Sequence, residues 1–145
     1  MTTIQRIGYD SPAYRAGLAL RDRVMRQPLG LSIYDEDFSF EKDCVLLAAF
    51  DEDGSLTGFG SMTNAGPVRR IEYLCVDPDF QGEGIGRRLL ARLEALARDA
   101  GAETVQLDAR VSAQAFYENM GYHTAGEVFT LSYAPVPHIR MEKSL

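Results

Sequence analysis

One stretch of this sequence constrains the fold more than any other: a turn with glycines at alternate positions runs directly into a long amphipathic segment. Over residues 84–100, apolar side chains recur at spacings of three and four, and charged side chains occupy the opposite face. This periodicity predicts an α-helix, and Gly101 follows where a left-handed cap commonly ends a helix. A helix that begins on such a turn presents unpaired N–H groups and a partial positive charge. The segment therefore predicts an anion site in front of the helix.

The residues around this turn narrow the choice of anion. Glycine lets the backbone take unusual dihedral angles and lets another molecule approach the main chain closely, and the turn has Gly82, Gly84 and Gly86. Arg87 and Arg88 add positive charge, which suits a diphosphate. A nucleoside-triphosphate loop requires Gly-Lys-Ser/Thr after the last glycine, and a dinucleotide fingerprint requires a third glycine where Leu89 stands. ATP hydrolysis is therefore disfavoured, while nicotinamide dinucleotide binding and a plain packing turn are minor alternatives.

The remaining periodicity predicts a mixed α/β chain. Alternating and continuous apolar runs predict strands at residues 4–7, 44–50, 56–62, 68–76, 103–107, 124–133 and 138–142. Ser11 and Pro12 predict the start of a helix that ends before Pro28, and a short helix is expected over 112–119. The order predicts an antiparallel meander, a right-handed parallel strand–helix–strand unit and a terminal hairpin, with helices on both faces of the sheet. A length of 145 residues is typical of one domain.

Composition and charge exclude several classes of function. The formal net charge of −6 repels nucleic acid and anionic membranes. The longest apolar run, at 45–50, is far too short to cross a bilayer, and the first residues do not resemble a secretory signal. We therefore expect a cytoplasmic protein with neither a nucleic-acid nor a membrane partner. Cys44 and Cys75 are expected to be reduced, and His123 and His138 lack the spacing of metal ligands, so no metal is expected.

Three segments together resemble one known family. Gln-Gly-Glu-Gly-Ile-Gly at 81–86 is similar to the pyrophosphate loop of the GNAT superfamily of N-acetyltransferases. Leu-Cys-Val-Asp-Pro at 74–78 precedes it, and Ala-Phe-Tyr-Glu-Asn-Met-Gly-Tyr at 115–122 follows, as in that superfamily. The resemblance, which is to small bacterial members, covers residues 68–123 and implies a single acetyltransferase domain over 1–145. It also implies that the central parallel strands splay into a V.

The resemblance implies that acetyl-CoA is the acyl donor. Main-chain groups at the end of the strand before the loop would bind pantetheine as an added strand, and amides of the loop would hold the pyrophosphate. The implied cofactor-binding residues are Leu74, Cys75, Val76, Gln81, Gly82, Glu83, Gly84, Ile85, Gly86, Arg87, Arg110 and Phe116. Arg110 departs from the family pattern, in which Asn is common at this position and contacts pantetheine. Its side chain is therefore expected either to reach the cofactor or to be solvated.

Acyl transfer to an amine needs a base, because deprotonating a lysine-like amine at pH 7 costs about 4.6 kcal/mol. Glu72 resembles the base position of several family members, although strand alternation leaves open whether it is simply exposed. Glu118 and Glu127 are less favoured. Tyr117 stands where the family places a general acid near the cofactor sulfur. His138, in the terminal hairpin, is a weaker candidate on the acceptor side.

We therefore predict an acetyl-CoA-dependent N-acetyltransferase that acts on a primary amine of a small molecule or peptide by direct attack in a ternary complex. The alternative from another class is a non-catalytic module that binds acyl-CoA and regulates a partner. The negative net charge of the chain weakly favours a cationic amine as the acceptor. Homodimers are frequent in the family, so a homodimer is a further expectation.

Overall fold

The computed structural model describes residues 1–132 and 135–145. Within these residues the chain forms a mixed sheet of eight strands with three α-helices. The strands are β1 (Thr3–Arg6), β2 (Val45–Phe50), β3 (Leu56–Met62), β4 (Val68–Val76), β5 (Thr104–Arg110), β6 (His123–Thr124), β7 (Phe129–Thr130) and β8 (Pro137–Ser144). The helices are α1 (Pro12–Arg21), α2 (Ile85–Asp99) and α3 (Gln114–Asn119).

The sheet has the order β1-β2-β3-β4-β5-β8-β6, and β7 also pairs with β8. The pairing of β4 with β5 is parallel, and α2 makes the connection between them, while all other pairings in the described residues are antiparallel. The predicted order of an antiparallel meander, a parallel crossover and a terminal hairpin is therefore confirmed.

The two faces of the sheet are closed by helices that approach it at glycines. Apolar side chains of α2 are fully buried in the main core, and a Cβ atom on Gly58 of β3 would lie only 3.0 Å from Ile85 and Leu89. On the opposite face, a Cβ atom on Gly17 of α1 would lie 2.8 Å from the ring of Phe59. These close approaches explain why glycine stands at both contacts. The burial of each leucine of α2 contributes roughly 1.5–3 kcal/mol to the stability of the fold.

The parallel strands β4 and β5 pair over only part of their length. Val68 to Ile71 face Thr104 to Leu107, and no pairing continues beyond Ile71. At this point β4 contains a β-bulge, because Met62 of β3 pairs with Ile71 while Ser61 pairs with Tyr73, which leaves Glu72 as the extra residue. The strands separate from here on, so the V-shaped opening predicted from the family resemblance is present.

The region after α1 differs from the prediction. The helix ends at Arg21 rather than continuing towards Pro28, and a π-helical turn (Asp22–Arg26) follows it. The side chain of Asp22 accepts hydrogen bonds from the backbone N–H of Ile33, at 2.8 Å, and from the Gln27 side chain, at 2.8 Å. These contacts tie the chain into a series of short 3₁₀ turns that runs to Asp43.

The predicted strand at 124–133 is also replaced, since among its described residues only Thr124, the end of β6, and the two residues of β7 belong to strands. Gly126, with φ +110°, turns the chain between them. Tyr133, the last residue of that predicted strand, lies outside the described residues. In the described part of the chain, no helix combines the length and the apolar character needed to cross a membrane.

A layer of buried charge lies between α1 and the sheet. Arg21 and Glu41 are both fully buried and form two hydrogen bonds, of 3.1 and 2.9 Å. The hydroxyl of Tyr14 donates to the same carboxylate at 2.5 Å. The Arg21 guanidinium also stacks on the rings of Phe59, at 4.2 Å, and Tyr73, at 4.7 Å. This layer supports the end of β4 from the side opposite α2.

Candidate active site

The glycine turn between β4 and α2 leaves a row of backbone donors free. Asp77 caps a 3₁₀ turn by accepting from the N–H of Asp79 at 3.0 Å. Gly82 and Gly84 then take left-handed conformations, with φ +86° and +79°, and α2 begins without a side-chain cap. The structure offers no acceptor to the N–H groups of residues 82–87 anywhere in the residues it describes. Free amides at a helix N-terminus fit the diphosphate of a CoA-type ligand.

A cleft of about 650 Å³ lies in front of these amides, between the end of β4 and α3. Phe80, Ser112, Ala113 and Tyr117 also line it. The structure brings together at this cleft most of the predicted cofactor residues, namely Leu74, Val76, Gln81, Gly82, Gly84, Ile85, Gly86, Arg87 and Phe116.

Three predicted cofactor residues lie elsewhere. The side chain of Cys75 lines no cavity found in the described residues, and its predicted contact was through the backbone. Glu83 lines a separate depression with Asp51 and Glu52. Arg110 is not part of the cleft, and its side chain lines a second cavity.

The second cavity, of about 130 Å³, lies where β4 and β5 separate, and the chain that follows α1 covers it. It shares Leu74, Ala113 and Tyr117 with the cofactor cleft, so the two spaces meet through the opening in the sheet. The charged and polar side chains of its lining include Arg26, Arg70, Glu72, Asp108, Arg110 and His138. We call this space the acceptor cavity.

Tyr117 lies at the junction of the two spaces. It is 8% exposed and packs edge-on against Phe116 and Tyr122, with ring centroids at 5.0 and 5.8 Å. Its hydroxyl has no hydrogen-bond partner within residues 1–132 and 135–145. Burial, with a smaller contribution from Cys75, raises its pKa well above the usual value. The hydroxyl therefore keeps its proton and is available as a donor at this point.

Glu72 lies in the acceptor cavity at the bulge of β4, and it is not simply exposed. Its carboxylate lies 3.2 Å from Nε of Arg70. Burial raises the pKa of Glu72, and the positive charge of Arg70 partly opposes that increase. The group is thus a carboxylate with a greater affinity for protons than an ordinary surface glutamate, as a base requires.

Sequence reasoning missed a network of charges beside Glu72. Asp108 accepts from Arg70 at 2.6 Å and from Nε of Arg140 at 2.9 Å, so a chain of alternating charges runs from Glu72 to Arg140. Burial by itself would raise the pKa of Asp108, but the hydrogen bonds from Arg140 and Arg70 outweigh burial and hold it below the usual value. The only signal in the sequence is that Arg70 and Arg140 lie in predicted strands and that Asp108 directly follows one.

His138 and Cys75 are both buried. Nδ1 of His138 lies 2.8 Å from the carbonyl oxygen of Val136, so the ring donates from Nδ1 and lies in the acceptor cavity, with Phe129 beside it. Burial raises the pKa of the Cys75 thiol to about 11, so it is protonated at neutral pH. Among the residues that the structure describes, no group of three His, Cys, Asp or Glu side chains is placed to hold a metal ion.

The free amides, the opening between β4 and β5 and the buried tyrosine at their junction are what an enzyme needs to hold an acyl thioester in reach of a second substrate. The acetyltransferase (GNAT) domain family model matches residues 33–145 of this chain. The chain belongs to this family and is an N-acetyltransferase, as the resemblance implied.

Individual relatives agree with the family. A Bacillus subtilis protein described as a candidate acetyltransferase is 28% identical over 127 residues, which are 86% of this chain and 84% of that protein. The crystal structure of a candidate N-acetyltransferase from Lactobacillus plantarum superposes with a TM-score of 0.82 at 26% identity and covers 99% of each chain. An aminoglycoside 6'-N-acetyltransferase complexed with coenzyme A has the same fold, with a TM-score of 0.76 at 19% identity over 98% of this chain and 96% of that one.

Proposed function

We propose that this protein transfers the acetyl group of acetyl-CoA directly to a primary amine of a small molecule or peptide while both substrates are bound. The observation that carries the proposal is that the cleft in front of the free amides and the acceptor cavity meet at Leu74, Ala113 and Tyr117. An amine in the acceptor cavity would reach this junction from the opposite side of the sheet. No covalent enzyme step is needed, and the protonated thiol of Cys75 is a poor nucleophile.

The chain has two sets of backbone groups that suit acetyl-CoA, which would supply the activated acetyl group. The N–H groups of residues 82–87 suit its diphosphate, with Arg87 at the edge of the cleft. Among the described residues, the edge of β4 that faces β5 has no strand partner after Ile71, so its main chain can pair with an extended ligand. Both sets of contacts are made by backbone groups, whose positions the fold fixes. They would therefore hold acetyl-CoA in a single orientation.

Glu72 and Tyr117 would move the protons. The Glu72 carboxylate, held by Arg70, would accept a proton from the acceptor's ammonium group, directly or through water. The Tyr117 hydroxyl would donate a proton to the departing sulfur, for which its free donor and its place at the junction suit it. His138 lines the acceptor cavity and would contact the acceptor rather than the cofactor.

Replacing Glu72 by Gln tests this proposal. We expect kcat to fall roughly 100-fold, the size typical of a lost general base, while the dissociation constant of CoA measured by calorimetry stays within about twofold. The measurement is release of free thiol from acetyl-CoA with a panel of amines. Glu118→Gln is the matched control, because Glu118 is exposed on α3 and lines neither cavity.

Equal activity of the Glu72→Gln and Glu118→Gln variants would contradict the role of Glu72. Binding of CoA without turnover of any amine would contradict the proposed reaction and would favour a regulatory acyl-CoA-binding module.

Several expectations from the sequence stay proposals. We take residues 1–145 to act as one acetyltransferase domain in the cytoplasm, without a metal, a nucleic acid or a membrane as partner. The two free cysteines are compatible with a reducing compartment. A homodimer is a further proposal, and size measurement in solution tests it.

A further inference from the structure

Within the described residues, every charged side chain that lines the acceptor cavity has an oppositely charged partner, with one exception. Nε of Arg26 donates to Glu36 at 2.6 Å. Arg70 is shared between Glu72 and Asp108, at 3.2 and 2.6 Å.

Arg110, at the end of β5, has no carboxylate within 4 Å in the part of the chain that the structure describes. Its only hydrogen bond there runs from Nη2 to the carbonyl oxygen of Met25, at 3.0 Å.

The environment of Arg110 makes the lack of a carboxylate partner unfavourable. Its Nε is buried and has no acceptor among the described residues. Burial and the positive charge of Arg26 lower the pKa of Arg110. Arg110 is half-buried, so its guanidinium has lost part of its hydration without gaining an ion pair in return. Arg21, which is fully buried, also has an Nε without an acceptor among the described residues, but unlike Arg110 it forms an ion pair, with two hydrogen bonds to Glu41.

Arg110 faces the same side of the sheet as the proposed base. Alternate residues of β5 point to opposite faces, and Leu107 and Ala109 point into the core that α2 covers. Asp108 and Arg110 therefore point to the other face, where Asp108 meets Arg70 beside Glu72. Glu72 and Arg110 both line the acceptor cavity. One cavity thus has a carboxylate suited to an ammonium group and a guanidinium suited to an anion.

We propose that the acceptor of this enzyme is an amine that also carries a carboxylate, and that Arg110 binds the carboxylate while the amine lies towards Glu72. This inference rests on the proposed function and specifies its substrate class. Guanidinium groups bind carboxylates with paired, charge-assisted hydrogen bonds, and Arg110 has donors to spare. The proposal replaces the expectation that a purely cationic amine is preferred, which considered only the net charge of the chain. It also assigns Arg110 to the acceptor rather than to pantetheine.

A panel of paired acceptors tests the proposal with the full-length protein. Each pair consists of an amino acid and its carboxamide, for the common L-α-amino acids, β-alanine and γ-aminobutyrate. Amines without an acid group complete the panel, and thiol release from acetyl-CoA is followed. For the pair that reacts best, we expect kcat/KM to be at least about tenfold higher for the acid, as hydrogen bonds to a charged group imply.

The variant Arg110→Gln should reduce that preference to less than about twofold, chiefly through KM for the acid. Arg110→Lys should retain part of the preference, because it keeps the charge and loses the planar fork. Arg92→Gln is the matched control, since Arg92 is exposed on α2 and its replacement changes the net charge by the same amount. Calorimetric titration of CoA shows that each variant is folded with its cofactor cleft intact.

The outcomes separate the two proposals. Equal or better use of the carboxamides or acid-free amines would overturn the carboxylate assignment and leave the acetyltransferase proposal standing. A higher KM for acetyl-CoA in Arg110→Gln, with the preference for acids unchanged, would show that Arg110 binds the cofactor. That result would also overturn the inference. A panel in which no acceptor reacts, despite CoA binding, would contradict the proposed function and this inference together.

Discussion

On the α2 face of the sheet the cofactor cleft is formed by free amides and apolar side chains, whereas on the α1 face the acceptor cavity is lined by charged side chains. The first face depends on glycine conformations at Gly82 and Gly84 and on the apolar stripe of α2. The second depends on ion pairs between residues far apart in the sequence, such as Arg21 with Glu41 and Arg70 with Asp108.

This difference explains how the two faces can serve different ligands. Backbone donors recognise a diphosphate in the same way whatever side chains surround them, so the α2 face suits a cosubstrate shared by a family. In a cavity lined by charged side chains, each charge determines which ligand groups can bind, and we assign such a role to Arg110, which has no carboxylate within 4 Å among the described residues. We therefore expect specificity for the acceptor to depend on the α1 face.

The strongest test of this comparison removes the buried ion pair of the α1 face. Arg21→Met leaves the Glu41 carboxylate buried without its cation, so we expect the free energy of unfolding to fall by about 3–5 kcal/mol in urea denaturation. Adding Glu41→Leu should recover a large part of the loss, because the unpaired charge is then removed as well.

Arg15→Met is the matched control, since the pair of Arg15 with Asp10 is exposed and its loss should cost less than about 1 kcal/mol. Similar losses for Arg21→Met and Arg15→Met would show that the α1 face does not depend on buried charge.

A smaller effect is expected from the glycine turn of the α2 face. Gly84→Ala places a methyl group on a left-handed residue that lines the cofactor cleft. We expect the CoA dissociation constant measured by calorimetry to rise about tenfold, which corresponds to about 1.4 kcal/mol of binding free energy, because the turn relaxes and its amides lose their alignment.

Gly101→Ala is the control for the strain itself. Gly101 has φ +84° and, like Gly84, nothing within 4 Å of the added Cβ, but it lies at the far end of α2. Both variants should lose about 1–2 kcal/mol of stability, and only Gly84→Ala should bind CoA more weakly. Equal CoA affinity in the two variants would show that recognition does not depend on the geometry of this turn.

The α2 face was the more predictable from sequence because its information is local. The period of α2, the glycines before it and Gly101 after it all lie within one short stretch, and the structure places the helix at Ile85–Asp99. The meander of β2, β3 and β4 was equally accessible from apolar runs separated by turns.

The α1 face was less predictable because its contacts join distant parts of the chain. The early end of α1 depends on Asp22, whose side chain bonds the backbone of Ile33. The orientation of Glu72 depends on a bulge, which breaks the alternation on which any prediction from strand period rests. The position of Arg110 depends on the carbonyl of Met25, which no local pattern indicates.

The subtlest test concerns how Arg70 controls Glu72. Burial raises the pKa of Glu72, Arg70 lowers it, and the nearby charges of Glu41 and Asp108 raise it. A base must be deprotonated, so kcat should fall as the pH drops through this pKa. Arg70→Gln removes the opposing cation and should raise the pKa further, so the acidic limb of kcat, measured at saturating acceptor and acetyl-CoA, should move to higher pH. We expect a loss of a few-fold near the limb and nearly normal kcat at higher pH, because Asp108 keeps its bond to Arg140.

Arg140→Gln is the matched control, since it also removes a cation from Asp108 but none in contact with Glu72. The acidic limb of this variant should move less. A uniform loss at every pH would mean that Arg70 acts on the shape of the cavity, and an unmoved limb would assign the titration to a group other than Glu72.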